Sequence, residues 1–246
     1  MWGGGITWIG HQVNGLADFL FPPACPVCHG PLVALQSNPD FCNLCSDEIC
    51  FLPSGRCSCC AVPFNATSSS SHLCTDCLKQ RPLFSSVFAA GVYSGSLKLA
   101  LQKFKYAGAV NLDRPLAKLL LAQIPVDTRH DLIVPVPLHV ARLRQRGYNQ
   151  SLLLAKVLAD NLHVFLGQEI LQRGIDSPHQ QGLNARQRAK NLQGAFFGTC
   201  RLDGRTVLLV DDVMTTGATV AACSQILKRL GANDVNVAVI ARAPRH

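Results

Sequence analysis

The sequence predicts an α/β fold: a parallel sheet flanked by helices, preceded by a small module that binds metal. Three observations carry that prediction. Beyond residue 86, apolar runs of strand length alternate with helical patterns, the order that lays helices over a parallel sheet. The run T-V-L-L-V at 206–210 is apolar almost throughout, as suits a central strand covered on both faces. The pattern C-x2-C-x13-C-x2-C occurs twice within the first 80 residues. Hydrophobic residues make up 48% of the 246 and charged residues only 15%, which excludes a disordered chain and supplies apolar surface for a core.

Residues 1–22 read as a short amphipathic segment whose Trp8, Leu16, Phe19, Leu20 and Phe21 pack on the rest of the chain; membrane contact is the rarer use of such a pattern. The segment lacks the basic n-region and small-residue cleavage site of a secretory signal, and no run is long and apolar enough to span a bilayer. The expectation is a cytoplasmic protein with no stable membrane insertion. In a reducing compartment its 12 cysteines point to metal rather than disulfides.

Residues 23–82 form the expected metal module. Cys25, Cys28, Cys42 and Cys45 make one set of ligands and Cys57, Cys60, Cys74 and Cys77 another, each 32 residues after its counterpart, as Pro63 follows Pro31. This is a tandem repeat. Each C-x2-C turn places two thiolates along one edge of a tetrahedron, and the second pair closes a four-sulfur shell that leaves no place for water. Closed thiolate shells are structural and suit zinc, so two structural Zn²⁺ sites are expected, ahead of an iron–sulfur cluster or redox dithiols. So short a segment has too few apolar residues to fold without its metal. Identical spacing favours sequential pairing over a cross-braced arrangement, which the sequence still allows. Cys50, Cys59, Cys200 and Cys223 fall outside the pattern as ordinary thiols, and a complete cysteine set leaves His72 no ligand role. The serine-rich stretch 67–71 lies between ligand pairs and is a loop within the second repeat.

Residues 83–246 form the expected α/β domain. Strands are predicted over 87–93, 131–137, 206–210 and 235–241, and helices over 95–106, 112–123, 149–162 and 218–230, the last ended by Gly231. Asn149 or Ser151 caps the helix that follows it. Charge is divided unevenly: residues 1–80 hold two basic and five acidic side chains, whereas residues 81–246 hold 21 and 10, so the net +8 arises from −3 and +11. The positive field of the second part attracts phosphate-bearing ligands, whether a small polyphosphate or a nucleic-acid backbone.

The segment V-L-L-V-D-D-V-M-T-T-G-A-T-V at 207–220 concentrates three kinds of chemistry. Two adjacent carboxylates, Asp211 and Asp212, at a strand end can accept hydrogen bonds from neighbouring ribose hydroxyls. Thr215, Thr216, Gly217, Ala218 and Thr219 offer hydroxyls and backbone N–H groups in a tight turn that Gly217 permits. The helix behind them turns its positive end toward the loop, which favours a bound phosphate. Ligands of open α/β sheets bind beyond the carboxyl ends of the strands, where this segment is predicted to lie.

This segment resembles the phosphoribosyl-pyrophosphate signature of type I phosphoribosyltransferases. Together with FKYAG (104–108), IVPVPL (133–138), RLRQRGYNQS (142–151) and QQGLNARQRAKNLQGAF (180–196) behind a double zinc ribbon, the chain after residue 22 resembles the ComF/GntX family. The resemblance implies a type I phosphoribosyltransferase-like sheet and a role in natural transformation or in the use of DNA as a nutrient. It also implies that Asp211 and Asp212 bind the ribose hydroxyls and 215–219 the 5′-phosphate of 5-phosphoribosyl-1-pyrophosphate (PRPP).

The departing pyrophosphate needs cations. Arg142, Arg144 and Arg146 follow the strand that ends in P-V-P, where phosphoribosyltransferases of this type have their pyrophosphate loop, and a guanidinium pairs strongly with phosphate. Lys103 and Lys105 on the preceding helix, and Arg186 and Arg188 in a polar stretch that can fold as a lid, serve equally as ligand contacts or solvated charges. Mg²⁺ is expected with PRPP, bridging pyrophosphate oxygens and ribose hydroxyls. Two functions stand: transfer of phosphoribose to an unidentified acceptor, or non-catalytic ligand sensing or single-stranded-DNA handling on the same fold. Single-stranded DNA and DNA-uptake proteins are the further partners, although the acidic metal module and the scarcity of aromatic residues in the basic part weigh against direct DNA binding.

Overall fold

A computed structural model describes residues 23–32, 40–64, 71–174 and 195–244. The segment 1–22, most of the serine-rich loop, and Arg186 and Arg188 lie outside the described residues. In the cysteine-rich part, each repeat forms a turn at its first C-x2-C pair and a five-residue helix at its second: α1 (Asn43–Asp47) and α2 (Thr75–Lys79). The main part follows as β1 (Ser86–Val92), α3 (Gly95–Tyr106), a 3₁₀ turn (Val110–Leu112), α4 (Asp113–Leu121), β2 (Leu132–Pro135), α5 (Val140–Arg146), α6 (Gln150–Leu162), β3 (Phe165–Leu166), β4 (Leu171–Arg173), β5 (Phe196–Gly198), β6 (Thr206–Met214), α7 (Ala218–Arg229) and β7 (Asp234–Arg242).

Five strands form one sheet in the order β1-β7-β6-β2-β3, with every pair parallel. Val207 through Val210 are fully buried at its centre. Leu208, Val210, Ala238 and Ile240 pack on one face with Leu97 of α3, Leu116 of α4 and Leu154 of α6. Val207, Leu209, Val237 and Val239 pack on the other with Val220 and Leu227 of α7 and with Leu171 and Phe196 of the small β4–β5 ribbon. The helix predicted over 112–123 divides into a 3₁₀ turn and α4, where Pro115 sits in the first turn and needs no N–H donor. The strand predicted over 206–210 runs on to Met214, because β7 keeps pairing with it after β2 has ended at Pro135.

That difference in length makes the crevice. From β2 the chain leaves toward β3 and from β6 toward β7, in opposite directions, so the loops diverge between β2 and β6. Such a switch point is where α/β sheets bind ligands. Alternation along β6 also breaks there: Met214 packs with the face of Val207 and Leu209, and Val213 with that of Leu208 and Val210.

The two cysteine repeats sit on opposite faces. Cys25, Cys42 and Cys45 join the α3–α4–α6 face, and Cys57, Cys60 and Cys77 join the α7 face. The connecting segment crosses the end of edge strand β1, where Phe51 bridges Gly91 antiparallel and the Val92 N–H donates to the Cys50 carbonyl at 2.7 Å. Two glycines permit this approach: a Cβ at Gly91 would stand 2.6 Å from the Cys50 carbonyl oxygen, and one at Gly95 (φ +48°) 2.5 Å from that of Glu48.

Candidate ligand site and metal centres

The four sulfurs of Cys25, Cys28, Cys42 and Cys45 lie within 4.8 Å of one another, as do those of Cys57, Cys60, Cys74 and Cys77, so pairing is sequential. Cys28 Sγ stands 3.4 Å from Cys42 Sγ, and Cys60 Sγ 3.7 Å from Cys74 Sγ. A tetrahedral zinc with metal–sulfur bonds of about 2.3 Å requires roughly 3.8 Å between sulfurs. The turns repeat in detail. Cys25 N–H donates to Gly30 O and Cys57 N–H to Val62 O, while His29 and Ala61, 32 residues apart, both adopt positive φ (63° and 54°).

The thiols also have the chemistry of a cation site. Burial raises the Cys25 thiol, but hydrogen bonds from the backbone N–H groups of Cys42, Cys28 and Val27 outweigh it and bring it down to about 7. Burial and the neighbouring Cys28 push Cys45 up to about 12. Four adjacent thiolates cannot coexist without a positive charge among them, and a zinc ion held by these sulfurs would supply it. Among the described residues these are the two groups that fit a metal. His72 instead stacks on Phe64, ring centroids 4.2 Å apart.

At the crevice, Asp211 is half-buried and Asp212 buried. Neighbouring strand residues ordinarily point to opposite faces, yet both carboxylates engage helices of the α3–α6 face. Ser151 Oγ of α6 donates to Asp211 Oδ1 at 3.0 Å, and the Asp212 N–H donates to the same oxygen at 2.9 Å. Lys105 of α3 pairs with Asp212 at 3.0 Å, both side chains largely shielded from water. Loss of hydration on burial, then the adjacent Asp212 charge, pushes Asp211 up to about 7.

Beyond Met214 the chain makes a tight turn. Thr215 and Thr216 are exposed, Gly217 has φ +84°, and the Ala218 N–H donates to Thr216 Oγ at 3.3 Å. A Cβ at Gly217 would lie 2.6 Å from Met214 Cε, so the turn rests on that methionine. The first N–H groups of the 12-residue α7 face the turn without intrahelical acceptors.

The remaining predicted cations separate. Arg142, Arg144 and Arg146 lie on the seven-residue α5 rather than in an open loop. Arg146 donates to Gln150 Oε1 at 3.2 Å and stacks over the Tyr106 ring, 5.0 Å from its centroid. Lys105 reaches the acidic pair, whereas Lys103 turns to the first metal turn, donating to Val27 O and lying 3.2 Å from His29 Nε2. Tyr148 Oη and Gln150 Nε2 both donate to Phe104 O at the end of α3. Asn149 is the helix cap, accepting from the Ser151 N–H at 3.0 Å, and its amide nitrogen donates to Val136 O at 3.1 Å. The G-Y-N-Q-S run thus fastens α3, the loop after β2 and Asp211 to one helix start.

Arg242 carries no sequence signal that would single it out, although it is fully buried. Its Nε donates to Cys60 O at 2.9 Å, and its Nη1 donates to Met214 O at 2.9 Å, Ala243 O at 2.9 Å and Thr215 O.

A family model described as "Double zinc ribbon domain" matches residues 16–78, and one described as "Phosphoribosyl transferase domain" matches residues 148–246. Competence protein F of Haemophilus influenzae (strain ATCC 51907 / DSM 11121 / KW20 / Rd) is 37% identical over 179 residues, 69% of this chain and 78% of that protein. DNA utilization protein YhgH of Escherichia coli (strain K12) is 32% identical over 228 residues, 90% of this chain and 97% of that protein. Competence protein ComFC of Bacillus subtilis (strain 168) is 24% identical over 216 residues, 81% and 82% of the two chains. Among the described residues no helix is long and apolar enough to cross a membrane.

Proposed function

The chain belongs to the ComF/GntX family of competence and DNA-utilization proteins, and from that premise we propose that it binds PRPP at the crevice beyond β6 and transfers its phosphoribosyl group to an acceptor. The carrying observation is the continuity of one acidic pair, one glycine turn and one helix start: Asp211 and Asp212, the turn at Gly217, and the N-terminus of α7. Asp211 and Asp212 accept hydrogen bonds from the ribose 2′ and 3′ hydroxyls. Thr215, Thr216, Gly217, Ala218 and Thr219 enclose the 5′-phosphate with backbone N–H groups and hydroxyls, assisted by the helix end.

In this reading Ser151 orients Asp211 and the Lys105 ion pair orients Asp212. As the C1–O bond of the ribose breaks, positive charge grows on the ring and pyrophosphate departs; the site lowers that barrier electrostatically. Arg142, Arg144 and Arg146, on the helix after β2, neutralise the leaving group, with Lys105 as the further cation on α3, since Lys103 is engaged by the first metal turn. Magnesium bound with PRPP would screen the pyrophosphate oxygens, and the paired carboxylates are hard oxygen donors of the kind it accepts. The relatives' names, competence and DNA utilization, support a setting in DNA uptake or use of DNA as a nutrient; DNA-uptake proteins as partners and a cytoplasmic location complete the proposal.

Calorimetry with PRPP and Mg²⁺ tests the reading. Each hydrogen bond to a carboxylate contributes about 1.5–3 kcal/mol, so Asp211→Ala/Asp212→Ala lowers affinity by roughly 100-fold or more; equal binding by variant and wild type overturns it. Pyrophosphate release across a panel of bases and nucleotides then identifies an acceptor. A second reading, single-stranded-DNA handling without catalysis, is favoured by Tyr106, 74% exposed beneath the Arg146 guanidinium as a stacking surface. Absence of release across the whole panel, together with single-strand binding that falls steeply with salt, decides for it.

A further inference from the structure

We propose that Arg242 is a positioning residue that joins the second metal site and the turn after β6 into one cooperative unit, so that metal occupancy and ligand binding there reinforce each other. The first metal site stands outside this unit.

The guanidinium is fully buried and faces backbone carbonyls on two elements. On one side is Cys60 O, the carbonyl of a cysteine whose sulfur belongs to the second cluster. Its direction is set by the knuckle: the Cys60 N–H donates to Cys57 Sγ at 3.4 Å, and the Ala61 N–H to Cys57 O at 3.0 Å with Ala61 at φ +54°. On the other side are Met214 O and Thr215 O, the carbonyls that begin the glycine turn. Met214 also supports Gly217 from below and takes the Ala243 N–H on its carbonyl.

A planar guanidinium with donors in a fixed fork serves these acceptors at once; the point charge of a lysine cannot. The position of the turn is therefore tied to the position of the Cys60 carbonyl. When the second cluster loses its metal, the knuckle relaxes, that carbonyl moves, and the buried cation re-aims toward acceptors on the turn. The first knuckle makes a different connection: Val27 O and His29 bind Lys103 on α3, and among the described residues its hydrogen bonds do not reach residues 213–219. Coupling of this kind is reciprocal, since whatever favours one arrangement of the shared element favours both occupants.

The first measurement needs no ligand and stands apart from the PRPP reading. Hydrogen exchange is followed in the zinc-loaded full chain, in Cys74→Ala (second site), in Cys28→Ala (first site) and in Arg242→Lys, with zinc counted in each. Exchange at amides 213–219 rises about fivefold or more in Cys74→Ala and in Arg242→Lys, the latter with both zincs retained, and stays at the wild-type level in Cys28→Ala. Unchanged exchange in Arg242→Lys, or an equal rise in Cys28→Ala, overturns the proposal. Should Cys74→Ala fail to fold, Arg242→Lys with both metals bound carries the test. The second measurement rests on the PRPP reading: Mg²⁺ and PRPP slow chelator-driven loss of zinc from the second site about fivefold or more and leave the first unaffected, and Arg242→Lys abolishes the difference. Equal protection of both sites overturns the coupling. A positive first measurement with no PRPP binding at all overturns the ligand reading and leaves the coupling standing.

Discussion

Each metal site has three buried ligands, Cys25, Cys42 and Cys45 in the first and Cys57, Cys60 and Cys77 in the second, but the first knuckle is tied to α3 through the half-buried Lys103, whereas the second backs onto a fully buried arginine. In spacing, turn geometry and helix placement the two sites are copies. What differs is the face of the sheet each covers and therefore the half of the crevice it supports: α3 with Lys105 and the acidic pair on one side, the glycine turn on the other. Identical ligation thus carries no guarantee of identical use.

The comparison breaks most visibly under ligand removal. Cys60→Ala removes a buried ligand of the second site and is expected to cost several kcal/mol, roughly 10 °C or more in Tm, while Cys28→Ala, at the exposed ligand of the first site, costs less than half as much. Thermal unfolding with zinc counting measures both, and equal losses would erase the distinction. Gly91→Ala strikes the segment that spans the two sites: the added methyl meets the Cys50 carbonyl oxygen at 2.6 Å and Leu97 Cδ2 at 2.9 Å, for a loss of about 1–3 kcal/mol in denaturant unfolding with both zincs retained.

The two halves of the crevice should also differ in pH response. Asp211, raised from 3.8 to about 7, is protonated below that pH and loses the carboxylate that accepts a ribose hydroxyl. Affinity for Mg²⁺–PRPP is therefore lost as pH falls through about 7, by up to about tenfold per unit for one proton. Asp211→Asn binds weakly at every pH and removes that dependence from the ratio of wild type to variant, in which the ligand's own titration cancels. The linked effect on folding has the opposite sense: the folded chain holds a proton that the unfolded chain releases, so stability contributed by this group is lost as pH rises from about 4 to about 7. The smallest effect belongs to Lys103→Met, which loosens the first knuckle by about 0.5–1 kcal/mol and leaves the glycine turn unchanged in hydrogen exchange.

Much of this was legible from the residues. Helix α3 occupies the predicted 95–106, because Leu97, Ala100, Leu101 and Phe104 recur at helical spacing. The 32-residue repeat favours the sequential pairing that the clustered sulfurs display. The break in alternation beyond Val210 was not legible, since it depends on β7 outlasting β2 as a partner of β6. Ser151 reads locally as a second choice of helix cap, and only the fold brings it to a residue 60 positions away. Arg242 sits near the end of a basic chain and looks like any solvated charge; its bond to Cys60 spans 182 residues, a distance no local pattern can report.

The strap between the two cysteine turns has a consequence for solubility. Strand β1 is an edge of the sheet, and Phe51 and the Cys50 carbonyl occupy its hydrogen-bonding groups at Gly91 and Val92. An uncovered edge is a template on which another chain can pair and aggregate. The cysteine-rich segment thereby guards the fold against self-association at the end of the sheet where the crevice opens. A version trimmed to the α/β part alone would forfeit that protection before any question of its chemistry could be asked.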